Sequence, residues 1–441
     1  MQKYQLDTEE NLQFLEKVRQ NLFDFGRRFP SPGGGSYYLM GDGTPDVQRP
    51  RETWITCRMA HVYALETMLG GSGGDSSDGG NGSSSGDSSS GNGGSVDSGS
   101  GNDSGSAAAL ADAAIGGLLG ELRDEEHSGW YAGRTADGGI LPDKQCYAHA
   151  FVLLAASSAK LAGNQRADAL LKEALEVYDR FFWNEEEGLS CDTWNTEFTQ
   201  CSSYRGLNAN MHTVEAFLAV ADSEKDETYR ERAGRIIRHV IGWAEQNQWR
   251  IPEHFTADWT PDYDCNKDHP DDPFKPYGAT PGHGIEWARL ITQWALSADI
   301  TQEEKTAAIE SAEQLYKRAA ADGWNPDGGA GGLVYTTDWD GNAVVHDRMH
   351  WTLAEAINTS AVLYRAVHRD EYAADYAKYM EYLDRVVLDH EHGSWFHQLD
   401  ADGRVLDTVW PGKSDLYHAV QATLIPYADP AVSIGTFTAR G

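Results

Sequence analysis

The chain has 441 residues, with 68 Asp+Glu against 36 Lys+Arg and a formal net charge of −32. So acidic a surface excludes nucleic acid and anionic membranes as natural partners, because phosphates must be neutralised by Lys and Arg. It suits a halophilic cytosol, where concentrated salt screens self-repulsion within a few ångströms.

Twelve segments carry helical periodicity: 9–25, 52–69, 107–123, 145–162, 166–183, 209–222, 226–247, 282–299, 301–320, 350–368, 370–389 and 415–428. They form six odd–even pairs. Odd members have one apolar stripe, as in Leu170, Leu171, Ala174, Leu175 and Tyr178 with Lys172, Glu173 and Glu176 between them. Even members, such as 148–159, are apolar nearly all round. An outer helix keeps a wet face and an inner helix is covered on every side, so the contrast predicts an all-α fold of two rings. Thr301 with Glu304 predicts a capped start to the ninth helix.

Between the second and third helices, 70–106 is almost wholly Gly, Ser, Asp and Asn. Such a stretch has no apolar surface to offset ordering entropy, and a disordered insertion is expected within one domain spanning 1–441. Three later connections repeat an aromatic strand, an Asp-Gly turn and a second strand: 130–141 turning at Asp137-Gly138, 333–345 at Asp340-Gly341, and 395–409 at Asp402-Gly403. Each ends shortly before an even helix. Short β-hairpin loops on one rim should therefore wall a pocket at the N-terminal ends of the inner helices.

Five cysteines, Cys57, Cys146, Cys191, Cys201 and Cys265, are odd in number and make no Cys-x-x-Cys pair, so no disulfide framework or zinc knuckle is expected. No segment approaches the roughly 18 apolar residues of a membrane span, and 1–25 has no uninterrupted apolar core. A soluble, cytoplasmic protein is expected, with homo-oligomerisation left open.

His61, His149, His212, His283, His350 and His418 fall near the starts of the even helices. One buried histidine is usually a satisfied core residue, but six at equivalent places mark a repeat that delivers side chains to one site. His283 with Glu286, and His212 with Glu215, stand three apart and share a helix face. Arg58 adds a fixed cation beside His61, and Glu355 follows His350. Histidine takes and returns protons near neutral pH, as hydrogen transfer between adjacent sugar carbons requires. A cation would stabilise the enediolate, and Trp54, Trp130, Trp287, Trp351 and Trp395 offer faces to a sugar ring, although packing accounts for most of them. No His-Glu-x-x-His or Glu-x-x-His order indicates a metal, and no phosphate loop or dinucleotide fingerprint indicates a cofactor.

The blocks Trp54-Ile-Thr-Cys-Arg-Met-Ala-His61, Gly206-Leu-Asn-Ala-Asn-Met-His-Thr-Val-Glu-Ala-Phe217, Glu253-His-Phe255, Asn266-Lys-Asp268, Thr280-Pro-Gly-His-Gly-Ile-Glu-Trp287 and Asp415-Leu-Tyr-His418 resemble the N-acylglucosamine 2-epimerase superfamily, in particular its aldose–ketose isomerase branch of mannose and sulfoquinovose isomerases. The resemblance runs from about residue 10 to 428, interrupted by 70–106. It implies an (α/α)6 barrel of twelve helices and metal-independent, cofactor-free isomerisation of a monosaccharide through a cis-enediol. It further implies that His283 shuttles the proton between C2 and C1, that His418 opens the ring and exchanges a proton with oxygen, and that Arg58 binds the O1/O2 region. His212, Glu286 and Glu355 would hold hydroxyls or orient these histidines, with Asn208, Trp351, Trp54 and His397 completing the sugar-binding set. Sulfoquinovose isomerases of the branch carry glutamines for the sulfonate at positions matching His397 and Ser414. Departure at both favours D-mannose with D-fructose, or D-lyxose with D-xylulose. The alternatives are a sulfoquinovose isomerase, a 2-epimerase, a non-catalytic sugar-binding regulator, and an (α/α)6 glycoside hydrolase using Glu286 and Glu355 as its two carboxyl groups. Retention of both His283 and His418 argues against the regulator. By the same division of labour, His61, His149 and His350 are assigned to the repeat.

Overall fold

Each of the twelve expected segments contains a helix in the computed structural model, which describes residues 4–71 and 105–441. The helices are α1 (Glu9–Gly26), α2 (Thr53–Gly71), α3 (Ala107–Leu119), α4 (Cys146–Leu161), α5 (Ala167–Val177), α6 (Leu207–Glu224), α7 (Glu227–Gln246), α8 (Pro281–Ser297), α9 (Gln302–Gly323), α10 (His350–Val367), α11 (Asp370–Tyr382), α12 (Tyr417–Gln421) and α13 (Ile434–Arg440). Residues 72–104 of the expected insertion lie outside the described residues.

Burial separates the two rings as the sequence contrast requires. Thirteen of the sixteen residues of α4 are buried, against seven of the twenty in α7. Helices α2, α4, α6, α8, α10 and α12 touch in succession and α12 returns to α2, which closes the inner ring. From α4, α6, α8 and α10 the close pairs run to the outer helix that follows each, because the short connections lie there. Only residues 225–226 separate α6 from α7, whereas 247–280 separate α7 from α8. The architecture is an (α/α)6 barrel.

Two features depart from expectation. The last inner helix is α-helical only over Tyr417–Gln421, followed by a 3₁₀ turn at Ile425–Tyr427, since Pro426 has no N–H and disfavours helical backbone at the residue before it. The terminal α13 was not foreseen. It packs against α2, α4 and α6.

The rim opposite α13 is built on one turn used six times. In each, the residue at positive φ donates its N–H three residues back: Gly43 to Met40, Gly138 to Thr135, Phe198 to Asn195, Trp259 to Thr256, Gly341 to Asp338, and Gly403 to Asp400. An acidic residue precedes it every time: Asp42, Asp137, Glu197, Asp258, Asp340 and Asp402. Left-handed backbone costs a side chain about 1–2 kcal/mol. Phe198 recovers this by stacking on Phe181 at 3.9 Å, and Trp259 by stacking on Trp243 at 5.8 Å.

Two of the expected hairpins form as ladders, Gly133–Arg134 with Ile140–Leu141 and Val334–Thr337 with Ala343–Met349. The third is different. Gln398–Leu399 pairs with Arg348–Met349 of the second hairpin, and its own return leg makes a single bridge, Leu399 with Val405. The Gln398 side chain holds that leg by accepting from the N–H groups of Val409 and Trp410 at 2.9 and 2.8 Å. Trp410 is thereby carried over the barrel mouth.

Candidate active site

At the N-terminal ends of the inner helices lies a pocket lined by histidines and aromatic side chains. Trp54 and Arg58 come from α2, Tyr147 from α4, Asn208 and His212 from α6, His283 and Glu286 from α8, and His350 and Trp351 from α10. His418 comes from α12, and His397, Ser414, Trp410, Phe274 and Tyr335 from the rim. Four histidines of the repeat thus meet in one place. His61 and His149 do not: His61 Nδ1 bonds the Ser158 hydroxyl at 2.7 Å, and His149 Nε2 accepts from the Trp130 N–H at 3.1 Å. His350, assigned to the repeat on sequence, stands in the wall. Trp130, Trp287 and Trp395 are wholly buried in the core.

His283 and His418 are oriented alike. Nδ1 of His418 donates to Glu355 Oε1 at 2.9 Å, and Nδ1 of His283 to Glu253 Oε2 at 3.0 Å. A carboxylate at Nδ1 fixes the tautomer and leaves the Nε2 lone pair for the pocket. Trp351 contacts both rings, 5.0 Å from His283 and 5.8 Å from His418. Its seat requires Gly282, where a Cβ would fall 2.6 Å from the indole. Burial, reinforced by the Arg58 charge, holds His418 neutral, well below the usual imidazole range. Burial likewise lowers His212 to about 4, against Glu215 whose Oε2 lies 3.6 Å from its Nδ1.

Arg58 is fixed by Asp415 at 3.1 Å and donates to the Tyr147 hydroxyl at 2.7 Å. Its guanidinium packs on Phe151, Tyr417 and Trp54 at 4.5, 4.7 and 5.0 Å.

Beneath the pocket, Arg289 gathers three carboxyl groups: Glu355 at 2.8 Å, Glu286 at 3.2 Å and Glu215 at 3.7 Å. Burial, then repulsion from Glu355, pushes Glu286 well above the usual carboxyl range. Its Oε2 has no hydrogen-bond partner among the described residues. Glu215 is held low despite burial by His212 and Arg289, and accepts from Tyr417 and Gln421. Two sets of ligand-type atoms lie within 4.8 Å of one another, His212, Glu215, Glu286 and Glu286, Glu355, His418. The Arg289 guanidinium already supplies their cationic partner, so a divalent ion there would meet a fixed like charge. Glu286 and Glu355 share this arginine and Glu355 is absent from the pocket lining, so they do not flank a bound sugar as a hydrolase pair must.

Several of these residues escaped the sequence reading. Arg289 extends the spacing of His283 and Glu286 by a further three on the same face of α8, and that period was the available signal. Glu253 and Asp415 stood in blocks singled out as family-like without a role. Tyr147, Trp410, Phe274 and Tyr335 had none of these marks. Outward, the pocket continues into a vestibule lined by Glu52, Asp143, Asp192 and Asp272 against the single Lys275.

Among the described residues no helix is long and apolar enough to cross a membrane. The family model for N-acylglucosamine 2-epimerase (GlcNAc 2-epimerase) matches residues 97–422. A D-mannose isomerase of Thermobifida fusca is 37% identical over 424 residues, covering 96% of this chain and 95% of that protein. A D-mannose isomerase of Pseudomonas cannabina pv. alisalensis is 42% identical over 331 residues, 75% of this chain and 80% of that one. A crystal structure of a D-mannose isomerase superposes with a TM-score of 0.79 over 94% of this chain and 97% of its own, at 24% identity, which speaks to the fold. With the family model spanning most of the chain and the barrel present, this protein is an enzyme and belongs to the N-acylglucosamine 2-epimerase family.

Proposed function

We propose that this enzyme interconverts an aldose and its ketose, D-mannose and D-fructose, through a cis-enediol, with D-lyxose and D-xylulose as five-carbon counterparts. The observation that carries the reading is the pair of carboxylate-oriented histidines, His283 with Glu253 and His418 with Glu355, both in contact with Trp351. One base takes the C2 proton, leaving an enediolate, and the neutral imidazole of the other dyad relays the O2 proton to O1. Return of the carried proton to C1 then gives the ketose, so protons and electrons balance without a redox partner. Arg58, pinned by Asp415, stabilises negative charge at O1 and O2. His212, Asn208 and the protonated Glu286 hold hydroxyls, and Trp54 and Trp351 cover the apolar face of the sugar.

A neutral sugar suits the approach better than sulfoquinovose does. Four carboxyl groups against one lysine at the vestibule oppose an anionic substrate. Chromatography of products from D-mannose, D-lyxose, D-glucose, N-acetylmannosamine and sulfoquinovose in molar KCl tests the assignment. Fructose from mannose supports it, and conversion confined to sulfoquinovose overturns it. Turnover that survives EDTA supports the metal-independent mechanism; loss restored by a divalent ion overturns that part. A second reading, 2-epimerisation, is favoured by one observation: two carboxylate-oriented imidazoles line the same pocket, so the base that takes the C2 proton need not be the one that returns it. Glucose as the main product from mannose would establish it. The acidic composition supports work in a salt-rich cytoplasm.

A further inference from the structure

The five cysteines are free thiols in unequal settings. Cys57 and Cys146 are buried, and burial raises the first well above the usual thiol range and the second to about 12. Cys265 is half-buried and is raised by burial and by the Asp262 charge. Cys191 and Cys201 differ because they stand together. The chain between them folds back through the turn at Phe198: Trp194 bridges Cys201 antiparallel, and the Ser202 N–H donates to the Thr193 carbonyl at 2.7 Å. Trp194 in turn donates its indole N–H to Cys191 Sγ at 3.2 Å, and the two thiols hydrogen-bond to each other.

The pair is asymmetric. Arg205 Nη1 lies 3.9 Å from Cys201 Sγ, whereas the Cys191 S–H also reaches the Phe181 carbonyl at 3.3 Å. The hydrogen bond from Cys191, then the Arg205 charge, holds the Cys201 thiol below its usual range against the effect of burial. That same hydrogen bond, with burial, keeps Cys191 protonated. Cys201 thus supplies a thiolate, the form that attacks, and Cys191 a neutral thiol beside it. Both are half-exposed, so a small oxidant has access. Neither lines the sugar pocket, although their neighbours Asp192, Thr193 and Ser202 line the vestibule.

We propose that Cys191 and Cys201 form a peroxide-reactive dithiol site, with Cys201 as the attacking and Cys191 as the resolving sulfur. The Cys201 sulfur attacks one oxygen of hydrogen peroxide and the O–O bond breaks. The departing hydroxide takes up the proton that Cys201 had shed and leaves as water, with Cys201 now a sulfenic acid. Cys191 then attacks that sulfur, the S–O bond breaks, and hydroxide departs with the Cys191 proton as a second water. A disulfide remains: two thiols have lost two electrons and one peroxide has gained them. The site is separate from the isomerase chemistry and stands without it.

The test treats the reduced full chain with near-stoichiometric hydrogen peroxide, blocks the remaining thiols and maps peptides without reduction. Two of the five thiols should disappear, a Cys191–Cys201 disulfide peptide should appear, and dithiothreitol should restore both thiols. In Cys191→Ser a dimedone adduct should accumulate at Cys201 instead. Cys201→Ser should slow peroxide consumption about tenfold, since an ordinary thiol is only a few per cent thiolate near pH 7. The wild-type rate should level off at a pH below the ~8.5 of an unperturbed cysteine. First oxidation at Cys265, a bridge between other cysteines or between chains, or thiols that survive conditions consuming free glutathione overturns the proposal. The wild-type peptide map decides alone if a variant misfolds.

Discussion

Glu253 Oε2 sits 3.0 Å from His283 Nδ1 although thirty residues separate the two, while Glu286, three residues along the same helix, turns instead to Arg289. Glu253 is therefore the group that holds the His283 tautomer. Glu253→Gln should lower kcat by about 10- to 1000-fold with a small change in KM, as expected when the orienting carboxylate of a histidine base is lost. Glu286→Gln should act mainly on KM. Steady-state kinetics of the two variants side by side checks the division, and equal effects on kcat would contradict it.

Replacing either proton carrier should be severe. His283→Ala and His418→Ala are each expected to lower turnover by about 10²–10⁴-fold with the circular dichroism spectrum intact. His149→Ala gives the contrast: it strands the Trp130 N–H, so the thermal midpoint should drop while KM and kcat stay near wild type. Near-normal rates in either of the first two variants would remove that residue from the mechanism.

Arg289 is buried among three carboxyl groups, so its loss leaves uncompensated charge. Arg289→Gln should cost about 3–5 kcal/mol in urea unfolding. Arg289→Lys keeps the charge but cannot make three planar contacts, and should lower kcat more than it lowers stability. A lysine variant with wild-type turnover would show that the fork geometry is dispensable.

Acid should destabilise the fold through its histidines. Burial holds His61, His212 and His350 at about 4 and His149 at about 3, with His397 and His418 also lowered. Unfolded, each titrates near pH 6.5. Between the two values the unfolded chain binds the extra proton, so stability is lost as pH falls below about 6.5, by up to ~1.4 kcal/mol per pH unit for each fully titrating ring. Above that these rings add no slope. Thermal midpoints measured from pH 8 to 4.5 should be level and then fall steeply; a flat profile down to pH 5 would refute the burial of neutral rings.

Salt should act in the opposite sense. With a net charge of −32, both thermal midpoint and activity should rise from 0.1 M toward molar KCl, where the screening length drops from about 10 Å to about 3 Å. Highest activity without added salt would count against adaptation to a salt-rich cytoplasm.

The double ring was legible because burial leaves a mark on composition: α4 is apolar on all faces and α5 on one. The turns were half legible. Asp-Gly announces three of the six, and Asp42-Gly43 carried the same signal unread, whereas Phe198 and Trp259 hide a left-handed residue behind a bulky side chain that only tertiary stacking stabilises. Helical spacing brought His212 and Glu215 together and put His283 and Glu286 in one pocket, but it could not show the carboxylate on His283 Nδ1, Glu253, which arrives from the preceding repeat. Position in the repeat misjudged His350, because which histidines reach the pocket depends on ring direction, and that is set by neighbours such as Ser158 and Trp130 rather than by spacing.

The terminal α13 packs against α2, α4 and α6, whereas the pocket opens at the N-terminal ends of the inner helices. Aldose and ketose share one pocket, lined at its rim by Phe274 and Trp410. The ketose should therefore act as a simple competitive inhibitor of the aldose, and net conversion should slow well before equilibrium as product accumulates.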